Sequence, residues 1–180
     1  MATTMDTLSH KAQRAAFGVA LDMALKHIEK DTSKGLLDVL DISQKFMGDT
    51  FKSETFEAIR AYIGNPENKW MQFVDRHLHR LHPNVIKTTA LNLGFEAAFR
   101  GTKTIRKMRK EHHCNIPWLI LMDPTAACNM HCTGCWAAEY GHGHNLTFEQ
   151  MDDIITQGKE LGIYFYMFTG GEPLVRKKDI

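Results

Sequence analysis

Ile163-Tyr164-Phe165-Tyr166-Met167-Phe168-Thr169-Gly170-Gly171-Glu172-Pro173 decides how the second half of this 180-residue chain folds. Ile163–Phe168 is the longest unbroken apolar run. It is far short of the ~20 residues a membrane-spanning helix needs. Its aromatic and branched residues, closed by two glycines, predict a buried parallel strand. Immediately upstream, Gly162 is a natural helix stop. Phe148, Met151, Ile154, Ile155 and Leu161 mark one face of the helix it would end. Thr147 and Gln150 form a capping-box pair at that helix's start, and Leu146 and Met151 fit a hydrophobic staple. Further upstream, Trp118–Met122 is a second wholly apolar run, stopped by Asp123-Pro124. Strand, polar stretch, helix, strand and loop make one βαβ unit, so the fold class is α/β.

Residues 1–113 read as helical almost throughout. Ser9 is placed to cap a helix running to about Asp31, with Phe17, Leu21, Leu25 and Ile28 on one face. Thr32-Ser33-Lys34-Gly35 reads as a break, followed by helical patterns near 36–47 and 53–63. Gly64-Asn65-Pro66 is a turn before a helix carrying Trp70, Phe73 and Leu78, with Trp70 and Phe73 expected in a core. His82-Pro83 ends that helix, and a last helical pattern covers about 84–111. The charge changes sign between the two regions, from +5 over residues 1–113 to −4 over residues 114–180. The expected organisation is therefore a helical region, 1–113, followed by an α/β region, 114–180.

Composition excludes several classes. With 43% hydrophobic and 24% charged residues, the chain is neither disordered nor collagen-like nor low in complexity. Lys11 and Arg14 precede an apolar stretch, Ala15–Leu21, but Asp22 interrupts it and no small-residue cleavage site follows, so it is not a signal peptide. Four cysteines are too few for a disulfide scaffold. Three of them, Cys128, Cys132 and Cys135, lie within eight residues at the spacing C-x3-C-x2-C. Three thiolates in one short stretch suit three corners of a soft metal centre and leave one position open.

The cysteine spacing together with Gly170-Gly171-Glu172-Pro173, 35 residues after Cys135, resembles the radical S-adenosylmethionine (radical SAM) superfamily over about residues 116–180. The resemblance implies that Cys128, Cys132 and Cys135 hold a [4Fe–4S] cluster. It implies that S-adenosylmethionine chelates the fourth iron, with Gly170, Gly171, Glu172 and Pro173 as cofactor-contacting residues. It also implies the start of a partial (βα)6 TIM-like barrel. The implied reaction is reductive cleavage to a 5′-deoxyadenosyl radical, which takes a hydrogen atom from a substrate the sequence does not name. Peptide, lipid, cofactor precursor and nucleic acid all remain open. An electron donor such as a flavodoxin or ferredoxin and a reducing, cytoplasmic setting follow from the same resemblance. One departure concerns the adenine contact. The family often has an aromatic residue just before the third cysteine, whereas this chain has Gly134 there and Trp136 after it.

The residues alone leave rivals. A structural Cys3His zinc site would recruit His131, His142 or His144. An electron-carrying iron–sulfur site would need a fourth cysteine, and Cys114 precedes the first strand, away from the cysteine stretch. His77 and His79 point opposite ways on a helix and read as solvated, while His112-His113 suit a helix end. Arg100, Lys103, Arg106, Lys107, Arg109 and Lys110 form a basic helical face that either is solvated or rests on a membrane surface or nucleic acid. The chain is expected to be the N-terminal part of a longer enzyme, inactive by itself, because a barrel of about six βα units of ~30 residues needs far more than the residues after Trp118.

Overall fold

The computed structural model describes residues 4–48, 50–135, 141 and 143–180. The chain forms two compact units, residues 1–99 and residues 100–180.

The first unit is helical. Helix α1 (Thr4–Ile28) begins five residues before Ser9. The Ser9 hydroxyl therefore lies mid-helix, where it accepts from the Gln13 side chain instead of capping. Helix α2 (Thr32–Met47) starts where a break was expected, because the Asp31 carboxylate accepts the Lys34 N–H at 3.0 Å and caps it. Thr32 is buried, with its hydroxyl on the Asp75 carboxylate. Helix α3 is Ser53–Ile63, and α4 is Lys69–Leu78, capped by the Asn68 side chain. Helix α5 (Pro83–Thr89) continues as π-helix over Ala90–Gly101. Leu40, Phe56, Ile63 and Met71 make one buried cluster. Phe17, Leu21 and Phe95 make another, with Phe17 5.4 Å from Phe95 between ring centres.

Trp70 and Phe73 are not core residues. They are 67% and 44% exposed and pack edge-to-face on each other. The reason is helical phase. Met71 is the buried residue of α4, and Val74 and Leu78, three and seven positions on, share its side and are half-buried. Trp70 and Phe73 fall on the flank. His77 and His79 are exposed, each with its Nδ1 against a backbone carbonyl four residues earlier, Phe73 and Asp75.

The second unit is the α/β part. Helix α6 (Thr102–His112) ends at His113, whose φ of 51° is left-handed. Strand β1 (Leu119–Met122) and strand β2 (Phe165–Phe168) are parallel, in register Leu119 to Phe165 through Met122 to Phe168. Helix α7 (Phe148–Glu160) joins them, completing the expected βαβ step. Both halves of the capping box form. The Thr147 hydroxyl accepts the Gln150 N–H at 3.2 Å, and the Thr147 N–H donates to the Gln150 side chain at 2.8 Å. Glu149, beside it, has its carboxyl held below the ordinary value by backbone N–H groups and the Thr147 hydroxyl. Gly162, at φ 93°, turns the chain from α7 into β2.

Ile105 of α6, Ile116 and Ile163 form the buried cluster of this unit, with Ile120 and Tyr166 packed against it. The Tyr166 hydroxyl donates toward the carbonyls of Ile155 and Ile163 at 3.1 and 3.0 Å. It sits over Gly158, where a Cβ would lie 2.1 Å from it. Burial raises the Tyr166 phenol above its ordinary value. Among the described residues, one face of the sheet is left partly open. Leu121 and Met167, register partners, are 58% and 45% exposed, because period-two alternation points them away from the face that carries Ile120 and Tyr166. Tyr164 and Phe165 are half-buried: Arg100 donates to the Tyr164 hydroxyl at 3.2 Å, and Trp118 packs on Phe165.

Candidate functional site

Both strands of a parallel pair end at the same side, so the residues after Met122 and after Phe168 meet there. The meeting is through backbone. Thr169 N–H donates to the Met122 carbonyl, Gly171 N–H to Thr125 and Glu172 N–H to Ala127, each at 2.9 Å. The glycine loop thus lies along the residues that lead into Cys128. Gly170 has φ 99°, a left-handed conformation that L side chains rarely adopt. Gly171 passes so close that a Cβ would be 2.2 Å from the Ala127 oxygen. Glycine is needed at both positions: at Gly170 for its conformation and because a Cβ would lie 2.9 Å from the Thr125 oxygen, at Gly171 for the close backbone approach.

Beyond the glycines, the Glu172 carboxylate accepts the Leu174 N–H at 3.0 Å and opens a 3-10 turn over Pro173–Arg176. An ionised carboxylate has about four lone-pair sites, so this contact leaves acceptor capacity.

The cysteine stretch departs from a buried anchor. Thr125 is 2% exposed, and its hydroxyl donates to the Asn145 side-chain oxygen while accepting the Ala127 N–H at 2.9 Å. Thr125 and Asn145 also form an antiparallel bridge. Cys128 is half-buried, Cys132 and Cys135 are exposed, and all three are free thiols. The Met130 N–H lies 3.4 Å from the Cys128 sulfur, and the Cys135 N–H donates to the Cys132 carbonyl at 3.2 Å. Gly134 has φ 72°, so an aromatic residue at that position would be strained. The zinc candidates His131 and His144 are exposed. Trp136 and His142 lie outside the described residues.

The structure brings the glycine loop to the root of the cysteine stretch. It does not gather the thiols: among the described residues, no three His, Cys, Asp or Glu side chains converge as a metal-holding group. Ligand sets of this kind rarely preform without their metal, since crowding thiolates together is unfavourable until a cation neutralises them. Cys114 is an exposed free thiol before β1. On the basic face, Arg109 donates to the Ile116 carbonyl at 2.6 Å, and Lys103, Arg106, Lys107 and Lys110 are exposed. Among the described residues, no helix is long and apolar enough to cross a membrane. Arg176, which the sequence did not single out, is the additional residue at this site. Besides the nearby Asp179 carboxylate, its partners are the backbone carbonyls of Pro124 and Leu146, too far away in sequence to leave a local pattern.

Comparison with known proteins bears on this end of the chain. Residues 122–180 match the family model for the radical SAM superfamily. The GTP 3',8-cyclase of Alkaliphilus oremlandii (strain OhILAs) is 45% identical over 56 residues, covering 29% of this chain and 18% of that protein. The PqqA peptide cyclase of Streptomyces rochei is 41% identical over 59 residues, covering 32% of this chain and 16% of that protein. The chain therefore aligns with less than a fifth of the length of either relative. No solved structure matches it. Residues 122–180, the segment that carries both the cysteine stretch and the glycine loop, are thus similar to the radical SAM superfamily.

Proposed function

We propose that residues 114–180 form the cofactor-binding beginning of a radical SAM enzyme's partial (βα)6 barrel, preceded by a helical region over 1–113. Cys128, Cys132 and Cys135 hold a [4Fe–4S] cluster, and Gly170, Gly171, Glu172 and Pro173 contact S-adenosylmethionine. The observation that carries this reading is the hydrogen bonding of Gly171 and Glu172 to Thr125 and Ala127, which seats the glycine loop beside the chain entering Cys128. The donor set fits: three free thiols, none in a disulfide, on one stretch that solvent reaches. When bound, the cluster and S-adenosylmethionine supply one-electron reduction and hydrogen-atom abstraction, chemistry that protein side chains lack.

The chain's own residues bind and orient. The cysteines act as thiolates. The glycine backbone allows a ligand to approach closely, and the Glu172 carboxylate offers its remaining acceptor sites to a cationic amine. A flavodoxin- or ferredoxin-type donor supplies the electron, in a reducing, cytoplasmic setting. The substrate is left open, because one relative is named for a nucleotide and the other for a peptide.

Anaerobic reconstitution with iron and sulfide tests the reading. About four irons per chain are expected, with an electron paramagnetic resonance signal that changes on adding S-adenosylmethionine. Cys128→Ala, Cys132→Ala and Cys135→Ala each lose the cluster, and Cys114→Ala keeps it. Stoichiometric zinc in place of iron would overturn the assignment, and loss of the cluster in Cys114→Ala would favour an electron carrier.

A further inference from the structure

The cysteine stretch leaves and re-enters the fold through two adjacent arms, 124–126 and 144–146. Ala126 N–H donates to the His144 carbonyl at 2.9 Å, and Leu146 N–H to the Pro124 carbonyl at 3.1 Å. Together with the Thr125–Asn145 bridge they close a clasp at the base of the stretch. Arg176, half-buried and just beyond the glycine loop, lies across this clasp. Its Nη1 donates to the Pro124 carbonyl at 3.0 Å and to the Leu146 carbonyl. Its Nε and Nη2 donate to the Asp179 carboxylate at 2.9 and 2.7 Å. A planar guanidinium with five donors can reach two carbonyls and a carboxylate at once, and an ammonium on a flexible stem cannot reproduce that fork.

One side chain therefore ties three segments: the exit of β1, the residue before the Thr147 cap of α7, and the turn after the glycine loop. We infer that Arg176 is a positioning residue, which sets the spacing between the cysteine stretch and the glycine loop and so the fit of that site for S-adenosylmethionine. The identity of the ligand rests on the function proposed above; the tie itself does not. Asp179 is the supporting group, since it neutralises the guanidinium and orients it. Arg176 is not placed as a catalytic residue, because its Nε, Nη1 and Nη2 all engage protein oxygens.

Two measurements test this on the whole chain. In the protein without cofactor, amide hydrogen exchange over 125–127 and 144–147 should be about tenfold faster in Arg176→Ala than in wild type, as expected for losing charge-assisted hydrogen bonds, with 151–160 of α7 unchanged. In the reconstituted protein, Arg176→Ala should bind wild-type iron but need about tenfold more S-adenosylmethionine for half of the paramagnetic resonance change. Arg176→Lys should share that defect, and the milder Asp179→Asn should show a smaller one should Arg176→Ala fail to fold. Unchanged half-saturation in Arg176→Ala with full iron overturns the proposal. So does complete rescue by lysine, which would make charge rather than geometry the operative property, and so does iron loss parallel to the loss of S-adenosylmethionine. A wild-type protein that takes up no iron would defeat the proposed function instead, while the exchange measurement still decides whether Arg176 ties the clasp.

Discussion

The Ala127 carbonyl stands where a side chain on Gly171 would begin: a Cβ there would lie 2.7 Å from its carbon and 2.8 Å from the Ala126 carbonyl carbon. Both neighbours are backbone, so neither can swing aside as a flexible side chain would. The glycine loop and the root of the cysteine stretch are thus in direct main-chain contact, with hydrogen bonds from Gly171 and Glu172 running across it.

Gly171→Ala should therefore destabilise the second unit by about 1–3 kcal/mol, the usual cost of overpacking, and loosen the two hydrogen bonds. Gly94→Ala is the control. A Cβ at Gly94 meets nothing within 4 Å, so that change should be neutral or stabilise by about 0.4–1 kcal/mol. Denaturant titration of both variants checks the contrast, and equal effects would remove the steric argument.

Tyr166 and Gly158 should be coupled. Gly158→Ala brings a Cβ to 2.1 Å from the Tyr166 hydroxyl oxygen and should be destabilising; in a Tyr166→Phe background the same change should cost less. Tyr166→Phe alone should cost about 1 kcal/mol by removing the donor that Ile155 and Ile163 carbonyls share. A double-mutant cycle measures the coupling.

The pH dependence of Tyr166 has a definite sign. Burial raises its phenol above the ordinary value of 10.0, so the folded chain favours the neutral form. Its contribution is intact below about pH 10 and is lost as pH rises through the folded value. Thermal melts between pH 9 and 11 should fall more steeply for wild type than for Tyr166→Phe.

At the other end of α7, Thr147→Ala should cost about 1 kcal/mol, because it removes the hydroxyl that caps Gln150. Glu149 adds an acid-side effect. Its carboxyl is held below the ordinary value of 4.5, so its contribution is present above that pH and fades as pH falls through the lowered value. A weaker acid dependence in Glu149→Gln, followed by helical circular dichroism from pH 6 to 2, checks it.

In the first unit, Met71→Ala should cost about 2–5 kcal/mol, whereas Trp70→Ser should change stability by less than about 0.5 kcal/mol. Met71 is 8% exposed and Trp70 67%. Chemical denaturation of the two variants compares them directly.

Where the sequence is read most surely, the controlling interactions are local. The capping box spans four residues, Gly162 marks its own turn, and the apolar runs of β1 and β2 name themselves. The helices of the first unit are legible as existing, but not in phase or start. Trp70 and Phe73 look like core residues by type, and only the position of Met71 against Leu40, Phe56 and Ile63 turns them outward. Ser9 resembles a cap, yet α1 has already begun at Thr4. At the candidate site the cysteine spacing and the paired glycines are visible as patterns. The contact between Gly171 and Ala127 spans 44 positions, and that between Arg176 and Pro124 spans 52; contacts that distant follow from how parallel strands end together, not from any local signal.

The clasp between 124–126 and 144–146 also separates two design problems. Because the ends of the intervening stretch are held together by hydrogen bonds of their own, the sheet is indifferent to how much chain lies between them. A change in the length of chain between the two arms should therefore leave the pairing of β1 with β2 intact, because the hydrogen bonds that close the clasp lie outside it.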